Sequence, residues 1–222
     1  MRVEKFYNYR KIYSGILIEK MKRYFAHAVN AYNTPLEQAA IKLIEKTFPG
    51  DTIENPNQPH HQEGYTKWAQ RQRESDTAHR GMSYFYDEVL PQCEGTVAMP
   101  FLDGRMGLGV AGETKVTYKE GGKQIWFMCP TPLPDSPKEL LLRLGEFILN
   151  PQSGLFTIRP FMEEELEMLL REDTRLVVPH IETRLRTWKL YNLVFLPYEE
   201  AHLVGITPTD YFYLKELLAK KP

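Results

Sequence analysis

From Lys22 onward, short apolar runs alternate with stretches whose apolar residues recur at helical spacing, the pattern of strands laid between helices. KRYFAH, Lys22 to His27, reads as the first strand, and AVNAYN follows it as a loop. A helix opens at TPLE. Thr34 is placed to cap it, Pro35 to take its first position, and Glu37 to complete a capping box. Ala39, Ala40, Leu43 and Ile44 form its apolar stripe, and the FPG of residues 48–50 stops it. A second short strand near DTIENP ends at Asn55-Pro56. Residues 57–80 are polar and read as a loop. After Gly81, MSYFYDEVLPQC predicts a helix broken near Pro91, and GTVAMPF, Gly95 to Phe101, predicts a buried strand. The glycine-rich DGRMGLGVAGE follows, then a short helix in VAGETKVTYKEGG and a strand in KQIWFMCP.

Beyond the proline-rich link CPTPLPDSP, KELLLRLGEFIL and MEEELEMLLRE predict helices with GLFTIRPF between them. TRLVVP and NLVFLP read as strands, IETRLRTW as a helix between them, and TPTDYFYLKELLAKK as a last capped helix. This order predicts an α/β fold: a Rossmann-like, flavodoxin-like open sheet, mostly parallel, with helices on both faces and a C-terminal elaboration. Residues 1–21 form an N-terminal extension, 22–130 the α/β core, and 131–222 the elaboration, packed on the same domain.

The 222 residues are 42% hydrophobic and 26% charged, ordinary values for a globular chain. With 28 basic and 29 acidic side chains the net charge is -1, which gives no electrostatic reason to expect a nucleic-acid partner. Cys93 and Cys129 belong to no C-x-x-C pair, so a zinc ribbon or redox motif is not expected and buried free thiols are. No apolar run approaches a membrane span, and SGILI is too short for a signal-peptide core; the expected setting is cytoplasmic. His60, His61, Glu63 and His79 invite a metal site. Adjacent histidines on a polar loop point apart, however, and no H-x-x-x-H or cysteine backs them, so no metal is expected.

Gly107, Gly109 and Gly112 spell G-x-G-x-x-G, but a dinucleotide fingerprint opens the first strand-turn-helix, and these glycines follow roughly the third strand. No carboxylate ends the next strand, at FMCP, to hold a ribose. An NAD-dependent oxidoreductase is therefore the least favoured reading. A bend past the carboxyl end of a strand, where open α/β sheets bind ligands, fits better. Asp103, Gly104, Gly107 and Gly109 then lie at the ligand, and backbone N–H groups there suit a 5′-phosphate, with Arg105 beside them. Glu113 is expected in the first turn of the following helix, where the helix dipole favours the ionised form. His27 and Tyr32, in the first strand-to-helix loop, share that sheet edge and are candidate substrate contacts.

Three pieces in sequence, RYFAHAVNAYNTPLE, YFYDEVLPQCEGTVAMPF and DGRMGLGVAGETKVTYKEGGKQIW, resemble the nucleoside 2-deoxyribosyltransferase superfamily, which includes nucleotide N-glycosidases. The resemblance runs from about Arg23 to Cys129. It implies that Glu113 is the catalytic nucleophile, that Asp87 binds the sugar or relays a proton to the leaving base, and that Tyr24 orients Glu113. It implies a hydrolase or transferase of nucleosides or nucleotides, assembled as a homo-oligomer, with no cofactor and no metal. A nucleotide-binding sensor on the same fold, without chemistry, is the alternative.

Overall fold

A computed structural model describes residues 20–178, apart from 75–81, 102–103, 122 and 133–136. Residues 1–19 of the expected extension, His79, Asp103, and the elements expected in IETRLRTW, NLVFLP and TPTDYFYLKELLAKK lie outside the described residues. In chain order the elements are β1 (Lys22–Ala26), α1 (Pro35–Thr47), β2 (Thr52–Glu54), α2 (Pro59–Glu74), β3 (Gly95–Ala98), β4 (Met106–Gly107), α3 (Leu108–Lys119), β5 (Gln124–Pro130), α4 (Pro137–Leu149), β6 (Phe156–Pro160), α5 (Glu163–Arg171) and β7 (Val177–Val178). The fold is α/β, a mostly parallel open sheet flanked by helices.

The main sheet runs β2-β1-β3-β5-β6. The first three pairings are parallel, and β6 closes the edge antiparallel to β5. A separate parallel pair joins β4 to β7. The chain thus winds from β1 outward to β2 and then crosses to β3 on the other side, so the winding reverses between β1 and β3. Crevices outside the carboxyl ends of strands at such a reversal are where open sheets take ligands. Residues 137–178 add two helices and the edge strand β6, which pairs with β5 in this sheet.

β1 and β3 are buried along nearly their whole length because a central parallel strand is covered on both faces. Phe25 and Val97 point to one side, into a core with Leu36, Ala40 and Ile44 of α1 and Leu144 and Phe147 of α4. Tyr24, Ala26 and Ala98 point to the other, against Trp68 of α2, Leu90, Val110 and Ala111 of α3, and Leu169 of α5. α3 carries threonines on its buried side. Thr114 turns its hydroxyl back onto the Val110 carbonyl at 2.7 Å, and Thr117 bonds Thr96 of β3 at 2.7 Å, so neither buries an unsatisfied oxygen.

Two segments depart from the sequence reading. Residues 59–74, read as loop, form α2, whose inner side is marked by few residues, His61, Trp68 and Ala69. So sparse a stripe gives little periodic signal. Residues 85–92 are a π-helical turn, Phe85–Val89, running into a 3-10 turn, Leu90–Gln92, with Pro91 near its start. No helix among the described residues is long and apolar enough to cross a membrane. Cys93 is buried and Cys129 half-buried, both free.

Candidate functional site

Glu113 is the sixth residue of α3, which begins at Leu108 with Gly107 as its cap. It therefore stands in the second turn, beyond the reach of the dipole effect expected for the first. Its side chain turns inward onto the sheet, where Tyr24 Oη donates to Glu113 Oε1 at 2.7 Å. Both residues are buried. Burial pushes the Glu113 carboxyl up to about 8, and the Tyr24 hydrogen bond only partly offsets it. Burial thus favours the protonated form of Glu113, against the ionised form expected from the helix dipole, and among the described residues no cation offsets its loss of water.

Two more phenols feel this carboxyl. Tyr32 and Tyr86 are half-buried, and both titrate above the usual tyrosine range, through burial first and the Glu113 charge second. Tyr86 is held up at about 12. Its hydroxyl lies so close to α3 that a Cβ on Gly112 would meet it at 2.2 Å. Glycine at 112 is what lets Tyr86 reach the helix one residue before Glu113. Asp87, expected as the acid of the site, is exposed and makes no hydrogen bond or ion pair with Glu113 or Tyr24. In the π-helical turn Tyr86 faces α3 while Asp87 and Glu88 face water. The fold presents Tyr86, not the acid next to it, to α3.

From Gly104 onward the glycine segment is a turn, the short strand β4 and the start of α3. Gly104 takes φ +83 in a tight turn closed by bonds from Gly104 N to Phe101 O at 2.9 Å and from Phe101 N to Arg105 O at 2.8 Å. That positive φ is the position needing glycine. Gly107 ends β4, and Gly109 lies within α3. These three candidate substrate contacts are therefore spread over a turn, a strand and a helix, in the connection leading from β3 to Glu113.

His27, just past β1, is buried rather than presented to a ligand. Its Nδ1 lies 3.0 Å from the Phe25 carbonyl and its Nε2 3.0 Å from Glu37 Oε1. Its ring stacks on Phe25 and lies 4.9 Å from that of Tyr32. Glu37 is completely buried at the start of α1. Thr34 Oγ1 accepts from Glu37 N at 3.2 Å, as the capping reading requires, but the Glu37 carboxylate does not return to Thr34. It accepts instead from the Asn33 N–H at 2.7 Å, Asn55 Nδ2 at 3.0 Å and Asn57 Nδ2 at 3.2 Å. Burial alone would raise its pKa; the bonds from His27, Asn55 and Asn33 prevail and hold it below the usual range. This network fixes the loop that carries Tyr32.

His60 and His61 open α2 instead of lying on a loop. Both present Nε2 to Glu54 Oε1, at 3.0 and 2.7 Å. The premise that adjacent histidines diverge fails here, because the rings tilt together with centroids 4.1 Å apart. A cavity of about 660 Å³ opens beside them, walled also by Lys22, Lys67, Arg71 and Tyr84. Glu113, Tyr24 and Tyr32 are not among its walls. Tyr86 and the Glu37 network went unread in the sequence. A glycine opposite a large aromatic is the one trace of Tyr86; nothing in the spacing of Glu37, Asn55 and Asn57 announces their meeting.

No protein-family model matches the chain, and no curated protein or solved structure is significantly similar to it.

Proposed function

We propose that this chain cleaves, or transfers across, the N-glycosidic bond of a nucleoside or nucleotide, with Glu113 as the carboxylate nucleophile. The observation that carries this reading is the buried hydrogen bond from Tyr24 to Glu113 at 2.7 Å. A buried carboxyl without a cationic partner weakens a fold, and such groups concentrate at functional sites. The Tyr24 bond fixes its direction, as a nucleophile beneath an anomeric carbon requires.

In the ionised form, one Glu113 oxygen bonds C1′ as the C1′–N bond breaks, and the electron pair leaves with the base, which takes a proton from water. Water then resolves the glycosyl ester in a hydrolase, and a second base in a transferase. Tyr24 is the positioning residue, and Tyr32 and Tyr86 are half-buried phenols that feel the Glu113 charge. The reading includes a cytoplasmic setting and a homo-oligomer.

The exposed position of Asp87 favours a second reading, a nucleotide sensor on the same fold, because the group assigned to the leaving base stands apart from Glu113. Incubation with a panel of nucleosides and nucleotides, followed by chromatography for free base, separates the two. Base release that disappears in Glu113→Gln supports the enzyme. Saturable binding by both proteins with no free base supports the sensor.

A further inference from the structure

The geometry points to a second site, which the Glu113 chemistry does not use: Glu54, His60 and His61 bind a divalent transition-metal ion of the zinc class through Glu54 Oε1 and the Nε2 atoms of both histidines. The three ligand atoms lie within 4.8 Å of one another. Successive residues on a helix point about 100° apart, so two neighbouring imidazoles meeting on one oxygen is a specific arrangement. The connection that allows it is short and pinned. Gln58 N bonds Asn55 O at 3.0 Å, and His61 N bonds Gln58 O at 3.0 Å, bringing the start of α2 back over the end of β2. Two imidazoles with one carboxylate suit zinc, iron, cobalt or nickel better than magnesium or calcium.

The surroundings are built for the histidines. Tyr84 Oη lies 3.2 Å from His61 Nδ1, the outer contact that orients a metal-binding imidazole. A phenol can donate to Nδ1 when Nε2 carries the proton and accept from Nδ1–H when Nε2 holds an ion, so loading costs no outer bond. Tyr84 reaches this place because residue 64 is glycine: a Cβ there would meet Tyr84 Oη at 2.2 Å. Lys22 Nζ pairs with the other oxygen, Glu54 Oε2, which leaves Oε1 for a monodentate bond while its charge weakens the site. The cavity supplies room for waters at the remaining positions. Glu54 pairs in register with Tyr24, so this site lies one strand from Glu113 on the same sheet face, with the Phe85 ring between them.

The test is titration of the chelator-stripped full chain with Co²⁺, read by visible absorption. One equivalent should produce a d–d band, which Zn²⁺ then abolishes. His60→Ala, which removes a largely exposed side chain, should eliminate the band without unfolding the chain. Tyr84→Phe should weaken Co²⁺ by about tenfold, and Lys22→Met should tighten it. An unaltered band in His60→Ala, or no stoichiometric binding by the wild-type chain, overturns the proposal. So does tight binding of inorganic phosphate that Lys22→Met weakens, since the basic cavity would then be an anion site.

Discussion

Tyr24 and Glu113, 89 positions apart, meet through a hydrogen bond of 2.7 Å between a central strand and the helix packed over it. Among the described residues the phenol is the donor to this buried carboxyl, and no cation accompanies it. The pair joins the stability of the fold to the protonation of its candidate nucleophile.

That coupling has a sign. Glu113 keeps its proton to about pH 8 when folded, but sheds it near the ordinary 4.5 when unfolded. Between those values the folded state binds more protons, so its contribution is full below 4.5 and is lost as pH rises toward 8. The slope is at most about 1.4 kcal/mol per pH unit. Urea unfolding at pH 5 and pH 8 should show Glu113→Gln gaining on the wild type at the higher pH. A difference that does not change with pH would refute the assignment.

Removing the phenol hydroxyl should act twice. Tyr24→Phe leaves a buried carboxyl without its donor, costing about 1–3 kcal/mol in denaturant melts. It also removes the influence that lowers the Glu113 pKa, so the carboxyl should titrate above 8 in an NMR titration. If catalysis depends on the ionised form, base release by this variant should rise only at higher pH than in the wild type.

Gly112 and Tyr86 make a second testable pair. Gly112→Ala places a methyl against the Tyr86 hydroxyl and should cost about 1–3 kcal/mol, less the gain in helix propensity. Tyr86→Phe removes the clashing oxygen and leaves the ring carbon at 3.2 Å from the added Cβ. The double variant should therefore be more stable than the two single effects predict when added. Strict additivity in thermal melts would mean that the two residues do not touch.

Glu37 has the opposite pH signature to Glu113. Its folded pKa is depressed, so its contribution is present above 4.5 and is lost as pH falls through the folded value. Glu37→Gln removes the acceptor charge that His27, Asn33, Asn55 and Asn57 share, and should cost about 1–3 kcal/mol at pH 7. That deficit should shrink in melts taken below pH 4. A cost of less than 1 kcal/mol at pH 7 would show the network to be dispensable.

Much of the fold was readable before any coordinates. β1, α1, α3, β5, α4 and α5 lie within a few residues of their predicted places, because their apolar spacing carries strong local information. α2 was missed because a helix anchored by few inward residues on an otherwise polar segment has almost no period to read. The hydrogen bond between Tyr24 and Glu113 matches the pairing that the family resemblance implies; residue type and chain order alone do not give it. The reading failed at Asp87, where a π-helical turn decides which of two adjacent side chains faces α3.

The sequence by itself determined the alternation of strands and helices and the start and stop of α1. These follow from periodicity, caps and turn residues, which act over a few positions. The tertiary structure alone decided that Glu113 is buried, that Tyr86 faces α3 while Asp87 faces water, and that Glu54 gathers two histidines. Those outcomes depend on desolvation and on distances between segments remote in the chain, and a linear order of residues contains neither.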